Sequence, residues 1–451
     1  MTRRVAVIGG GISGLTTAFF LEQRGYAATV FEAAERCGGK IRSSEVDGIT
    51  VEDGPDALLP RDDRPIELLG ELGLADRLLS PAVFGAYIWW DGMLRRLPLG
   101  SPYGIPLRPY EAFRSGLLSP SGALRASFER WWPRRLTGPD ISIGAFVRMR
   151  WDSEAARRMV DPLLAGVRGG RLEHISLAAA APDINTLARS HRSVSRALRS
   201  QGPPAAPVFV APRAGMESLT AKLVARLPDV RTNNPVERMV VTKGHIELDR
   251  SSESYDAAVV AVPAFAAAPI LEGIEPEAAR LLYSIEYASV ASIALVYRRG
   301  SVHVPADGSG FLVPSDSGLG VSACTWYSAK WPEVTTDGRS VVRAVVGRAA
   351  TEPALELDDA ALVERVHHDL HEVMGVESPP LATHVTRWDR AIPQYAVGHL
   401  ELVTKIETVL AAAGPVFITG AGYRGSGIPD CIARAHATAA AIGRRLDSAG
   451  G

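Results

Sequence analysis

Apolar residues in this chain fall into short unbroken runs separated by amphipathic stretches, the pattern of a buried parallel sheet alternating with helices. Val5-Ala6-Val7-Ile8 is the first run. Leu15, Ala18 and Leu21 then repeat at helical spacing, Gly25 marks a stop, and Ala28-Thr29-Val30-Phe31 makes a second strand. The same buried-strand signature returns at residues 257–262 and 416–419. Pro263 and Pro269 interrupt the apolar stretch 257–271, which predicts a strand leading into a turn rather than a membrane span. Residues 236–241 and 245–248 predict a strand pair, and residues 290–348 alternate as half-buried strands. Helices are expected at 359–374 and, rich in alanine, at 432–446. Between residues 87 and 201 the pattern turns helical, with tryptophan pairs (Trp89-Trp90, Trp131-Trp132) and many arginines. There Ala155, Met159, Val160, Leu163 and Leu164 predict a helix in which Pro162 makes a kink or a boundary. Residues 202–207 read as a linker.

The first strand runs directly into Gly9-x-Gly11-x-x-Gly14, and the second ends on Glu32. Gly9 permits the tight turn, Gly11 lets the backbone approach a pyrophosphate, and Gly14 lets the helix pack against the sheet. The helix N-terminus faces the phosphates, and Glu32 can accept ribose hydroxyls. FAD and NAD both fit these features. Glu35-Arg36-Cys37-Gly38-Gly39-Lys40 follows at once, a glycine pair flanked by cations that suits a loop around a phosphate. Asp53-Gly54-Pro55-Asp56-Ala57 comes soon after. Together these two segments resemble the FAD-dependent amine oxidases and their relatives. A second glycine-rich turn, Thr419-Gly420-Ala421-Gly422-Tyr423-Arg424-Gly425-Ser426-Gly427-Ile428, joins the last strand to the last helix. It aims another helix N-terminus at a cofactor whose reduced ring carries negative charge.

The chain's 451 residues allow two or three domains, and 46% hydrophobic with 22% charged residues is ordinary for a globular enzyme. The net charge of −1 argues against a nucleic-acid partner. Cys37, Cys324 and Cys431 are too dispersed for a disulfide framework or a metal site, which fits a reducing cytosol. His367-His368 and His371 lack a partner cluster, and no metal is expected.

Further segments match one family in order along nearly the whole chain: Leu94-Arg95-Arg96-Leu97-Pro98, Val160-Asp161-Pro162-Leu163-Leu164-Ala165-Gly166-Val167, Ser328-Ala329-Lys330-Trp331-Pro332, Arg387-Trp388 with Pro393-Gln394-Tyr395, and Gly427-Ile428-Pro429-Asp430-Cys431. The chain resembles the porphyrinogen oxidases of haem synthesis, within the FAD-dependent amine oxidase superfamily, and is most similar to the bacterial form that oxidises coproporphyrinogen III. The resemblance implies an α/β fold: a Rossmann-like FAD-binding domain, discontinuous in sequence (residues 1–80, 208–270 and 385–451), a mainly helical insertion (81–207) and an α+β substrate-binding sheet domain (271–384). It places FAD contacts on Gly9, Gly11, Ile12, Ser13 and Gly14; on Glu32, Ala33, Arg36, Gly39 and Lys40; on Gly54, Pro55, Asp56 and Ala57; on Val236 and Trp388; and on Gly420, Ser426, Gly427 and Ile428. The roles of Val236 and Trp388 rest on the resemblance alone.

It also implies a porphyrinogen and oxygen as reactants, transient contact with the ferrochelatase that uses the product, and a cytoplasmic enzyme with peripheral membrane contact and no transmembrane segment. Four propionates on coproporphyrinogen call for cations at the pocket mouth. Arg61, Arg95 and Arg168 are the candidates, with Arg64 and Arg96 beside them. No catalytic base is expected, because aromatisation drives proton loss. Where the family has Tyr-Ala-Gly after Gly166-Val167, this chain has Arg168-Gly169-Gly170. That departure keeps protoporphyrinogen IX, an amine or a secondary-metabolite intermediate open as substrates. A flavin-binding or haem-chaperoning protein without turnover also stays open. Ala86 stands where the animal and plant enzymes carry an arginine, in keeping with the bacterial branch.

Overall fold

The computed structural model describes residues 2–60, 62–131, 134–200, 209–249, 251–335, 337–349 and 353–448. The linker expected at 202–207 lies outside them. Five parallel strands form the central sheet, in the order Val416–Ile418, Ala257–Val260, Arg4–Ile8, Ala27–Phe31, Asp229–Arg231. Both faces are covered, which is why these strands are apolar throughout. Val5 and Val7 point into a core shared with the helices Ile12–Glu22, Glu217–Arg226 and Ile428–Ser448. Ala6 and Ile8 point the other way, towards a three-stranded antiparallel sheet (Met239–Thr242, His245–Leu248, Ser254–Tyr255) and the helices Ala264–Glu272, Pro276–Tyr283 and His399–Ala413. The result is a doubly wound α/β unit whose strands come from the beginning, middle and end of the chain.

A second sheet has seven strands, in the order Ala382–Pro393, Tyr287–Tyr297, Ser340–Val346, Val321–Thr325, Gly308–Leu312, Gly85–Trp90, Met93–Arg96. The helix Asp359–Met374 buries Leu362, Val366 and Leu370 against it. The last two strands come from the largely helical stretch 81–207, and Ala382–Pro393 pairs with Tyr287–Tyr297 from end to end. The remainder of 81–207 packs its own core around Phe146, Trp151, Met159, Val160 and Ile184.

Two local expectations differ from the structure. The turn expected after residue 262 is the helix Ala264–Glu272, with Pro263 at its N-terminal boundary and Pro269 inside it. A proline costs little where its N–H would have no partner, so Pro263 starts this helix instead of ending the strand in a loop. The helix expected across 150–167 begins at Ser153 and passes through a π-helical turn, Ala156–Val160, before Asp161–Arg168. Pro162 occupies the first turn of that last piece, where it is tolerated.

Candidate functional site

The carboxyl edge of a doubly wound sheet is where such folds bind ligands, and the glycine-rich turns after Ile8 and after Ile418 leave strands of that sheet. Gly9 has φ +110, and a Cβ on it would meet Val262 at 2.8 Å. Its N–H donates to the Phe31 carbonyl at 2.8 Å, which closes the turn over the second strand. A Cβ on Gly14 would stand 1.9 Å from the Gly9 carbonyl oxygen, so only glycine lets the helix start this close to the strand. Gly11 differs. A Cβ there would meet no protein atom within 4 Å. The space in front of Gly11, at the N-terminus of Ile12–Glu22, is open at the point a pyrophosphate needs.

Glu32 ends the second strand. One carboxylate oxygen accepts from Gly10 N–H at 2.7 Å and the other from Ala34 N–H at 2.8 Å. Each oxygen keeps a lone pair for a ribose hydroxyl. The adjacent Asn234 donates its N–H to the Glu32 carbonyl, while its buried Oδ1 has no partner among the described residues. Neither the amide nor the carbonyl of Val236 is hydrogen-bonded among the described residues, which suits an adenine edge.

The loop expected to wrap a phosphate lies against this turn, with Gly38 N–H donating to the Gly10 carbonyl at 2.8 Å. Gly39 (φ +56) approaches Gly11 so closely that a Cβ would be 3.4 Å from its Cα. The cations of the loop do not point at the Gly11 opening. Arg36 donates to the Cys37 carbonyl at 2.6 Å and the Ile41 carbonyl at 3.1 Å, so it holds the loop's own backbone. Lys40 donates to the Ala391 carbonyl, and burial lowers its pKa below the ordinary lysine range. Gly54 is pressed on the Lys40 carbonyl, where a Cβ would be 2.1 Å away, and Pro55 and Ala57 follow it half-buried. Asp56 turns from the site into a buried cluster with Lys330 at 2.8 Å and Arg343 at 3.8 Å. Burial opposes its ionisation, but the two cations hold the carboxyl well below its usual range. Arg343 also donates to the carbonyls of Glu52 and Gly54, both at 2.7 Å, tying the seven-stranded sheet to this loop.

The C-terminal turn meets the N-terminal one. A Cβ on Gly420 (φ +134) would be 3.9 Å from Ser13 Oγ, and the Ser13 hydroxyl contacts the Cys431 thiol. Burial pushes that thiol up to about 11. The hydroxyl of Tyr395 accepts from Gly425 N–H at 3.0 Å and donates to the Ala421 carbonyl at 2.5 Å, which fixes the loop. Ser426 and Gly427 lead into Ile428, the first residue of the long helix, and Gly427 N–H reaches Asp430 Oδ2 at 3.2 Å. Thr419 Oγ1, at the end of the strand, is buried without a partner among the described residues.

A cleft of about 440 Å³ opens beside this edge, walled by Tyr287, Val290, Trp388, Arg348 and Arg387. Trp388 is held by its indole N–H on the Asp53 carbonyl at 3.0 Å. Tyr287 receives the Ala264 N–H at 2.9 Å, and burial pushes its hydroxyl up to about 12, so it is a neutral donor and not a base. Of the arginines expected to meet a polyanionic substrate, Arg61 and the side chain of Arg168 lie outside the described residues. Arg95 donates to the Trp90 carbonyl at 3.3 Å, pairs with Asp91 at 3.7 Å and lies over Gly116, away from the cleft wall. Arg343 and Arg348 were missed by motif. The available signal was an arginine in the otherwise apolar strand Ser340–Val346 and another just after it.

These observations fit FAD. The open cradle at Gly11, the acceptor capacity of Glu32, the Asn234 Oδ1, Thr419 Oγ1 and Val236 backbone groups without partners among the described residues, and the second helix N-terminus are groups that an adenine dinucleotide can engage. Comparison with known proteins agrees. The family model for flavin-containing amine oxidoreductases matches residues 12–443. A coproporphyrinogen III oxidase of Bacillus subtilis is 33% identical over 95% of this chain and 96% of that protein. One from Mycobacterium tuberculosis is 33% identical over 99% and 98%. Among solved structures, a protoporphyrinogen oxidase candidate from Exiguobacterium superposes with a TM-score of 0.88 at 26% identity, covering 99% of both chains. The chain belongs to the family of flavin-containing amine oxidoreductases.

Proposed function

We propose that this protein is an oxygen-using, FAD-dependent oxidase that converts coproporphyrinogen III to coproporphyrin III in haem biosynthesis and releases hydrogen peroxide. End-to-end identity of about one third with proteins named coproporphyrinogen III oxidase carries the proposal. The cleft beside Trp388 supports it, since its volume lies in the ordinary range for a small-molecule site. Six hydrogens leave the porphyrinogen, and three molecules of oxygen become three of hydrogen peroxide. Bound FAD supplies a hydride acceptor that oxygen can restore. The chain's residues would bind and orient. The turns at Gly9–Gly14 and Gly420–Ile428 hold the cofactor, Trp388 and Tyr287 form an apolar wall, and the Asp56–Lys330–Arg343 cluster fixes the intervening loop. No residue needs to act as base, because each N–H proton becomes acidic as the ring oxidises.

The test is aerobic turnover by FAD-loaded protein on coproporphyrinogen III and protoporphyrinogen IX in parallel, followed by porphyrin fluorescence. Faster oxidation of coproporphyrinogen supports the proposal. Faster oxidation of protoporphyrinogen moves the assignment to that substrate, and no turnover of either above spontaneous oxidation refutes both.

The same reading includes transient contact with a ferrochelatase, which must take over a metal-free product, and peripheral contact with an anionic membrane surface. No described helix is long and apolar enough to cross a membrane. Tyr110, Phe113, Leu124, Phe128 and Trp131 are exposed on consecutive short helices, with Arg108, Arg114, Arg125 and Arg130 between them. Aromatic residues interleaved with cations suit a headgroup layer. Flotation with anionic but not neutral vesicles is the expected result.

A further inference from the structure

We infer that His399 is a positioning residue for the flavin: its imidazole N–H holds the middle of the turn 420–428, and through that turn the helix start at Ile428. The inference goes beyond the proposed function and rests on the flavin rather than on the substrate.

His399 is the first residue of the helix His399–Ala413 and is only 3% exposed. Its Nε2 lies 2.8 Å from the Tyr423 carbonyl. A carbonyl can only accept, so Nε2 carries the proton. Burial lowers the pKa of the ring, and the Arg424 charge adds to this, against the pull of the Tyr423 and Gly422 carbonyls and of Asp140. The imidazole is therefore neutral at physiological pH, a fixed single donor. Its face stacks on the Tyr395 ring, with centroids 4.3 Å apart and planes 19° from parallel. The Tyr395 hydroxyl grips the same turn on either side of Tyr423, at the Ala421 carbonyl and the Gly425 N–H. Two stacked rings thus present their polar tips to three backbone groups within five residues of the turn.

The far side of this brace is anchored in the helical insertion. Asp140 accepts from the Gly398 N–H at 3.1 Å, directly before His399, and from the Ser176 hydroxyl at 2.6 Å. Ser176 N–H donates to the Tyr395 carbonyl at 2.7 Å, and Val397 N–H to the His174 carbonyl at 3.1 Å. The segment 395–399 is therefore held from the insertion while its side chains hold the cofactor turn. Arg424 is drawn to the other side of that turn by Glu407 at 2.6 Å and Thr404 at 2.8 Å, which leaves the placing of the Tyr423 carbonyl to His399.

The turn matters because of what it carries. It runs from Gly420, where a Cβ would be 3.9 Å from Ser13 Oγ, to the N-terminus of the helix Ile428–Ser448. Unpaired N–H groups at a helix start stabilise negative charge, and a flavin gains negative charge on reduction. Displacing the turn should then weaken binding of reduced FAD more than that of oxidised FAD, which is a fall in the midpoint potential. A side chain that served packing alone would change stability and leave the potential where it was.

The experiment compares wild type with His399→Phe, which keeps a ring on Tyr395 but has no donor, and with His399→Gln, whose amide N–H has the reach of Nε2. It measures the midpoint potential of bound FAD by equilibration with reference dyes, FAD affinity by fluorescence titration, and thermal unfolding of the cofactor-free protein. His399→Phe is expected to lower the ratio of reduced to oxidised affinity about three- to tenfold, which is ~15–30 mV for a two-electron couple. His399→Gln should restore the ratio to within about twofold of wild type. A wild-type potential in His399→Phe overturns the inference, whatever its melting temperature, as does a shift that His399→Gln fails to reverse. If His399→Phe does not retain FAD, His399→Asn, whose amide is too short to reach the carbonyl, takes its place, and a potential equal to that of His399→Gln overturns the inference. Loss of FAD from both donorless variants while His399→Gln retains it supports the inference, and loss from all three overturns it. None of these readouts uses a porphyrinogen. A protein that binds FAD but oxidises neither porphyrinogen refutes the proposed function and leaves this inference standing, so the two failures are told apart.

Discussion

Gly11→Ala separates what the fold needs from what the cofactor needs. Gly11 has φ −75 and ψ 177, an extended conformation that alanine adopts without strain. The added Cβ meets no protein atom within 4 Å. Alanine there removes chain freedom from the unfolded state, so the cofactor-free protein should be as stable as wild type or more stable by about 0.4–1 kcal/mol. The methyl instead enters the space a pyrophosphate occupies. Overpacking of that kind costs about 1–3 kcal/mol, a loss of roughly five- to 150-fold in FAD affinity. The assay is fluorescence titration of deflavinated protein with FAD, paired with thermal unfolding with and without the cofactor. With free FAD at about 100 times the wild-type Kd, binding stabilises wild type by about 2.7 kcal/mol, and a hundredfold weaker variant keeps about 0.4 kcal/mol of that. Two outcomes would refute the reasoning. FAD affinity within twofold of wild type would mean that the opening before Gly11 is not the phosphate site. A cofactor-free variant less stable by more than about 1 kcal/mol would mean that Gly11 serves the protein's own packing.

Gly14→Ala should do the reverse, since its Cβ would lie 1.9 Å from the Gly9 carbonyl oxygen, and the cofactor-free protein should lose about 3 kcal/mol or more and melt well below wild type. Asp56→Asn leaves Lys330 and Arg343 buried against a neutral partner, and a loss of about 3–5 kcal/mol is expected in calorimetry at neutral pH, with Lys330→Met in the same background restoring part of it. Glu52 is 4% exposed, and burial raises its pKa to about 7 against the pull of Met216 N–H, Ser43 and Arg343. A folded pKa above the unfolded one makes this carboxyl's contribution complete below pH 4.5 and lost as pH rises through 7, about 3 kcal/mol in all. Glu52→Gln should therefore flatten the decline in melting temperature between pH 5 and 8.5, and an unchanged slope would remove Glu52 as its source.

The parts of the fold that sequence patterns anticipated are those whose cause is local. Val5–Ile8 is apolar because both faces of its strand are covered, and the turn after it is glycine because Val262 and the Gly9 carbonyl leave no room for a side chain. The helix Asp359–Met374 shows its boundaries through the Asp358 cap, which accepts from Ala361 N–H at 2.8 Å, and Gly375 at φ +67. The misread segments are those where tertiary packing overrode a local signal. Pro263 and Pro269 argue against a helix, yet Ala267, Ala268 and Leu271 are buried beneath the neighbouring helices, and that burial outweighs the missing hydrogen bond.

The two halves of the site differ for the same reason. A dinucleotide is held largely by backbone groups at strand ends and helix starts, and the glycines that permit this leave a fixed spacing in the sequence. The cleft beside Trp388 is made of side chains from strands far apart in the chain. Arg348 reaches the cleft because Gly347 turns the chain against Ser289, and it lies beside Trp388 because Val290 pairs with Trp388 across two strands about a hundred residues apart. No short motif records that juxtaposition. Arginine is common along the chain, and what separates Arg348 from Arg95 is only what each faces: one a cleft wall, the other the Trp90 carbonyl and Asp91 of its own hairpin.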